Sequence, residues 1–172
     1  MGFQSTVYLQ QGFGVPGELF VDAPYRVQSY ILNSALASYN IIGATFVSIT
    51  SQGNVAAGNS GGTAVTAGLL VDPKNQALYG VGGSSLAPTL VLPNYTQVEV
   101  ASMGTFVVTL PAAAAIGDWV IYDNTTGAIS TVTPGTSLPS GKSWAMARVD
   151  YYTVAGAGLA VITLDPGVGQ PT

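Results

Sequence analysis

Histidine and cysteine are both absent from the 172 residues. Without an imidazole, a hydroxyl nucleophile has no conventional general base. Without thiols there are neither disulfides nor thiolate metal sites, so the fold must rest on packing and backbone pairing. Charge is the third scarcity. Asp, Glu, Lys and Arg make up 7% of the chain, against about 25% in an ordinary globular domain. Only Arg26, Lys74, Lys142 and Arg148 are basic, and the net charge is −4. No basic stripe can be drawn from four cations, so phosphate neutralisation is excluded and nucleic acid is not an expected partner. Long hydrophobic runs are missing as well. The longest candidate, residues 106–122, is interrupted by Pro111, Gly117 and Asp118, whereas a spanning helix needs about 20 apolar residues. No basic segment followed by an apolar one opens the chain. Met1 to Thr6 fits the loose myristoylation pattern, but no second membrane signal accompanies it, and a membrane partner is not expected.

What is present is apolar bulk and glycine: 48% hydrophobic residues and 22 glycines. That is opposite to the signature of disorder. The length suggests one domain, able to bury roughly 70% of its unfolded surface. Its outside must be covered by Gly, Ser, Thr, Asn, Gln and Ala. Such a surface repels other proteins weakly and suits a subunit largely covered by partners.

Residues 1–40 mix Gly and Pro punctuation with scattered aromatics. Pro16-Gly17 is a turn signal, and Pro24 pushes Ala23 to an extended conformation. Tyr25, Tyr30 and Tyr39 fit no single amphipathic face. The segment reads as an extended N-terminal arm, with a short helical turn over 31–38. From residue 41 onward the pattern is that of a β-domain, 41–172. Strands are expected over 41–50, 64–72, 76–80, 89–93, 96–104, 105–111, 119–132 (a hairpin with Asp123 to Gly127 at its tip), 143–153 and 159–165. Within 96–104, Val98 and Val100 face one way and Gln97 and Glu99 the other. Residues 52–63 read as a loop, and 112–118 as a helical turn or tight connection. The fold class is all-β: an antiparallel barrel or sandwich.

Gly58-Asn59-Ser60-Gly61-Gly62 has the form Gly-x-Ser-Gly-Gly, the setting of a nucleophilic serine. With no histidine to take the proton, and with Lys74 and Lys142 in turn-like contexts, Ser60 is not activated. The stretch reads as a polar hairpin tip. Asp118 and Asp123 are the only close carboxylate pair worth weighing, and an odd spacing on a strand would turn them to opposite faces. Glu18, Asp22, Glu99, Asp150 and Asp165 are solitary. Trp119, Trp144, Tyr151 and Tyr152 raise the question of sugar stacking, with core or interface packing as the plainer reading. Asn94-Tyr95-Thr96 and Asn124-Thr125-Thr126 match the glycosylation acceptor and mark exposed turns. No catalytic residue, cofactor site or metal ligand is assigned.

Five blocks, 14–35, 67–80, 86–94, 112–130 ("AAAAIGDWVIYDNTTGAIS") and 157–164, together resemble the structural cement, or capsid decoration, proteins of tailed bacteriophages. Their order and spacing carry the resemblance. It implies a non-enzymatic protein on the outer surface of the virion capsid. Its partner would be the major capsid protein, whose subunit contacts it would stabilise, with a dimer and a trimer of the chain itself both open. On this reading the arm contacts are Phe13, Phe20, Pro24, Tyr25, Arg26 and Tyr30. The alternative is a carbohydrate- or receptor-binding β-module on a virion surface.

Overall fold

The computed structural model describes residues 14–21, 23–59, 65–72 and 91–165. Among these residues there are nine strands, a single 3-10 turn (Ala37–Tyr39) and no α-helix. The strands are β1 (Arg26–Ile31), β2 (Phe46–Ile49), β3 (Val55–Ala57), β4 (Val65–Val71) and β5 (Gln97–Leu110). They continue with β6 (Trp119–Asp123), β7 (Ile129–Val132), β8 (Lys142–Tyr151) and β9 (Gly158–Leu164). All named ladders are antiparallel, in the order β3-β2-β4-β5-β9-β8-β6-β7, with β1 also on β5. The sheet is not closed by a strand ladder: its two ends meet through the isolated bridge Thr45–Ala128 and a few backbone hydrogen bonds between residues 44–59 and 124–129. The architecture is therefore an open sandwich of two sheets that share β5.

β5 spans both sheets because of one irregularity. Its first half pairs with β4 and β1, and its second half, from Gly104, pairs with β9. Opposite Arg26 and Val27 the register steps from Met103 to Ala101, so Ser102 is the extra residue of a β-bulge. A bulge bends the strand and shifts its side-chain phase by one. Val98 and Val100 accordingly face one apolar cluster, and Phe106, Val108 and Leu110 face the other. Residues 96–104 and 105–111, expected as two strands, are thus one.

Both faces of the first sheet are buried. Phe46, Leu69, Val71 and Ala101 belong to the cluster between the sheets. Val47, Leu70, Val98 and Val100 belong to a second cluster closed from outside by Leu32, Ile42 and Leu92. Two-sided burial explains why "GLLV" reads as a continuous apolar run and not an alternation. Residues 14–21 and 23–40 lie along this chain's own sheets. Gly17 N–H donates to Val107 O and Phe20 N–H to Thr105 O, continuing the β4 side of β5. β1 lies on the other side of β5.

Several local expectations differ from the structure. The 3-10 turn sits at 37–39, and Ile31 ends β1. Residues 41–45 form a turn before β2, and the stretch 52–63 contains β3. β3 exists because Val55 and Ala57 alternate into the core against β2, a non-local gain that overrides the Gly/Asn-rich setting. Residues 112–118, read as a helical turn or tight connection, form the tight connection, with Ala114 bridged to Val154. The expected strand over 76–80, the residues Phe13 and Asp22, and Ser60 to Gly62 lie outside the described residues.

Candidate functional site

The base of the Gly-x-Ser-Gly-Gly stretch is structural. Gly58 is buried at φ 71°, its N–H donates to Phe46 O (2.9 Å), and Asn59 N–H donates to Asn124 O (2.8 Å). The loop is therefore anchored to the β6–β7 turn. That turn is ordered by Asp123, whose Oδ1 accepts from Thr125 N and Thr126 N, both at 2.9 Å. The Thr126 backbone hydrogen bond is the main reason its carboxyl lies below the usual aspartate value, with burial opposing and Lys142 assisting. Asp118 lies outside β6, and its Oδ2 accepts from Ala115 N at 2.8 Å. Each carboxylate thus shapes its own turn, and the two do not converge on a substrate position. Among the described residues no group of three or more metal-ligating side chains occurs.

Asn94 is similarly occupied. Its Oδ1 accepts from Ser34 N (3.1 Å) and Asn40 Nδ2 (2.9 Å), while its Nδ2 donates to Ser34 O (2.8 Å). The amide that a glycosylation sequon would offer ties residues 34–40 to residues 91–95. Asn124 Oδ1 accepts from the Ser143 hydroxyl at 2.6 Å.

The exposed aromatic surface is of a different kind. Phe20, from the segment paired to β5, meets Tyr151 and Tyr152 at the end of β8. Ring centroids lie 5.3 Å from Phe20 to Tyr151, 6.0 Å from Phe20 to Tyr152 and 6.4 Å between the tyrosines. Both tyrosines are exposed, Tyr152 at 48%. A bulge precedes them: between Val149 and Tyr151 the register on β9 shifts by one, leaving Asp150 as the extra residue. Asp150 is used there, accepting from Thr163 Oγ1 at 2.8 Å and facing Arg148 at 3.6 Å. Tyr152 itself has φ 60°. An aromatic residue in the left-handed region is uncommon and marks a place where backbone strain is maintained. The rings are inclined at 53°, 86° and 45° to one another. They form a ridged apolar patch and give no flat stacking platform.

Pro24, Tyr25 and Arg26 are also exposed, on the approach to β1. Tyr25 overlooks a depression of about 370 Å³ with Glu18, Leu19, Glu99 and Phe106. Arg26 lies at a separate groove that also touches Trp144. Tyr30 is half-buried against the second cluster, and its hydroxyl donates to Gln28 Oε1 at 2.9 Å. The structure therefore brings Phe20 together with Tyr151 and Tyr152, and places Tyr25, Arg26 and Tyr30 elsewhere. Trp119 and Trp144, at 6.4 Å and 71°, pair edge to face with each other.

The family model described as "Structural cement protein (E217 gp24/Pam3 gp6)" matches residues 3–165. The chain belongs to the structural cement protein family of bacteriophages. In fold it resembles a chain in a solved structure titled "The capsid of Myoviridae Phage XM1", with a TM-score of 0.61 and 18% identity. The alignment covers 96% of this chain and 99% of that one. No curated protein matches in sequence. For a structural cement protein, the fixed turns around Gly58 and Asp123 and the aromatic patch at Tyr151 are scaffold and surface.

Proposed function

We propose that the protein binds the outer surface of the phage head and stabilises contacts between major capsid protein subunits. The observation that carries this reading is the Phe20–Tyr151–Tyr152 patch, in which two exposed tyrosine rings, Tyr152 at φ 60°, stand against a half-buried Phe20. Aromatic anchors dominate the energetics of protein interfaces. The scarcity of charge removes the repulsion that keeps ordinary monomers apart. Phe20, Pro24, Tyr25, Arg26 and Tyr30 are the contacts proposed on the described part of the 1–40 segment. Phe13 completes the set expected from the sequence. A protein that binds only the mature lattice stabilises it by mass action, with no chemistry required.

The test uses heads assembled without the chain and supplemented with purified protein. The double variant Tyr151→Ala, Tyr152→Ala should bind heads at least tenfold more weakly, since each buried aromatic contributes roughly 1.5–3 kcal/mol. Its melting temperature should stay close to that of the parent, because both rings are exposed. Undiminished binding would remove the patch from the interface. Heads equally resistant to heat and chelator with and without the chain would remove the stabilising role.

A further inference from the structure

Four register shifts interrupt the ladders of the described strands, and three of them open on one groove. β2 pairs Val47 with Gly68 and Ser48 with Thr66, which leaves Ala67 extra on β4. Ser102 is the extra residue on β5. β6 pairs Val120 with Ala147 and Ile121 with Trp144, which leaves Ala145 and Met146 extra on β8. All of these extra residues line a groove of about 560 Å³, a size typical of small-molecule sites. Bulges gather beside binding and active sites, where they re-aim side chains. Met146 shows the effect. It has φ 50°, its side chain is left 42% exposed, and its carbonyl accepts from Asp165 N–H at 3.0 Å. A non-glycine residue held in the left-handed region marks strain of the kind that clusters at ligand sites.

The lining mixes apolar side chains with neutral polar ones. Val65, Leu138, Trp144 and Met146 supply carbon and sulfur surface. Thr66 Oγ1 and the Tyr122 hydroxyl share one hydrogen bond of 2.7 Å. Two hydroxyls carry two hydrogens, so one remains to be donated. Among the described residues, Ser102 Oγ and Asn59 Oδ1 are buried oxygens without a hydrogen-bond partner, and native proteins keep few of these. Arg26 is the only charged residue among the described residues of the lining. We infer that this groove binds a saccharide unit bearing a carboxylate. A pyranose ring offers C–H faces to the indole and thioether, and hydroxyls that donate to Asn59 and exchange hydrogen bonds with Ser102 and Thr66. Its carboxylate lies on the Arg26 guanidinium, whose fork of donors matches that group. An extended peptide fits less well. β4 already pairs with β2 and β5, and β8 with β6 and β9, so neither wall has a strand edge to which a peptide could add. Phe20, Tyr151 and Tyr152 lie outside this lining, so the groove and the aromatic patch are separate surfaces.

The test uses the isolated full chain, so its failure and that of the head-binding test are distinguishable. The probe is a galacturonate disaccharide, with maltose as its neutral counterpart, followed by tryptophan fluorescence and titration calorimetry. The acidic sugar should bind with a Kd of about 1 mM or tighter, and maltose roughly tenfold more weakly. Arg26→Gln should lower the affinity for the acidic sugar roughly tenfold and leave that for maltose unchanged. Ser102→Ala should weaken both sugars without lowering the melting temperature, because it removes a buried hydroxyl that has no partner to lose. No binding of the acidic sugar at about 10 mM would overturn the inference. So would equal affinity for maltose, unchanged affinity in Arg26→Gln, or a glutamate-containing tripeptide bound as tightly as the sugar. Should Ser102→Ala fail to fold, Arg26→Gln, at an exposed position, still decides.

Discussion

The backbone nitrogen of Gly58 stands 2.7 Å from where a Cβ on Gly127 would lie. The same Cβ would collide with the Phe46 carbonyl oxygen, and one on Gly58 would sit 2.5 Å from Asn124 O. Both residues have φ 71°. Two loops distant in sequence thus close on each other through two glycines. Gly58→Ala and Gly127→Ala should each destabilise by more than about 3 kcal/mol, combining left-handed strain with backbone overlap. Gly135, at φ 85° with nothing near its Cβ position, should lose only about 1 kcal/mol as alanine. Thermal melting checks the contrast, at about 2–4 °C per kcal/mol for this size.

Tyr122 ties the sheets together at the other side of that junction. It is 1% exposed, its ring stacks on Phe46 (5.3 Å, 13°), and its hydroxyl shares a 2.7 Å hydrogen bond with Thr66 Oγ1. Tyr122→Phe should cost about 1 kcal/mol for the hydrogen bond. Tyr122→Ala should cost about 3–5 kcal/mol through the cavity it leaves. Urea denaturation of both variants, with an unchanged slope, measures the two contributions.

Asn94 should behave as a structural amide. Asn94→Ala removes three hydrogen bonds and leaves Asn40, which is wholly buried, with one partner fewer. A loss of about 2–3 kcal/mol is expected. Expression in a glycosylating host should give no glycan at Asn94, checked by intact mass.

Asp123 sets an acid limit. Its pKa is lowered in the fold from 3.8, chiefly by the Thr126 backbone hydrogen bond. A depressed carboxylate contributes stability that is fully present above the unfolded value and lost as pH falls through the folded one. Melting temperature should therefore fall as pH drops below about 3.8, and Asp123→Asn should fall less over that window. Asp123→Ala should be less stable at every pH, since it also loses the turn acceptor.

Much of the β6–β9 half was legible in the sequence because its signals are local. "YDNTTG" announces a hairpin, and Asp123 does there what aspartate does in turns. The strands at 142–151 and 158–164 alternate or run apolar between glycine-rich turns. The all-β class followed from the same signs, and the resemblance to the cement proteins from the order of the blocks. The aromatic patch was not legible: Phe20 was expected on the arm, and Tyr151 and Tyr152 were read as core or interface residues with sugar stacking as a question, but nothing in the spacing joins residues 131 and 132 positions apart. β3 was hidden by its polar neighbours, and the continuity of β5 by Gly104, which reads as a stop.

The sequence by itself determined which groups are absent or scarce: no imidazole, no thiol and only four cations. It also determined that the chain would be strands joined by turns, because period-two patterning and turn residues act over a few positions. Only the tertiary structure decided that Ser102 bulges so that one strand serves two sheets. It alone locked Gly58 behind Gly127. Those outcomes depend on what lies opposite each backbone group, and that is fixed by pairing between segments far apart in the chain.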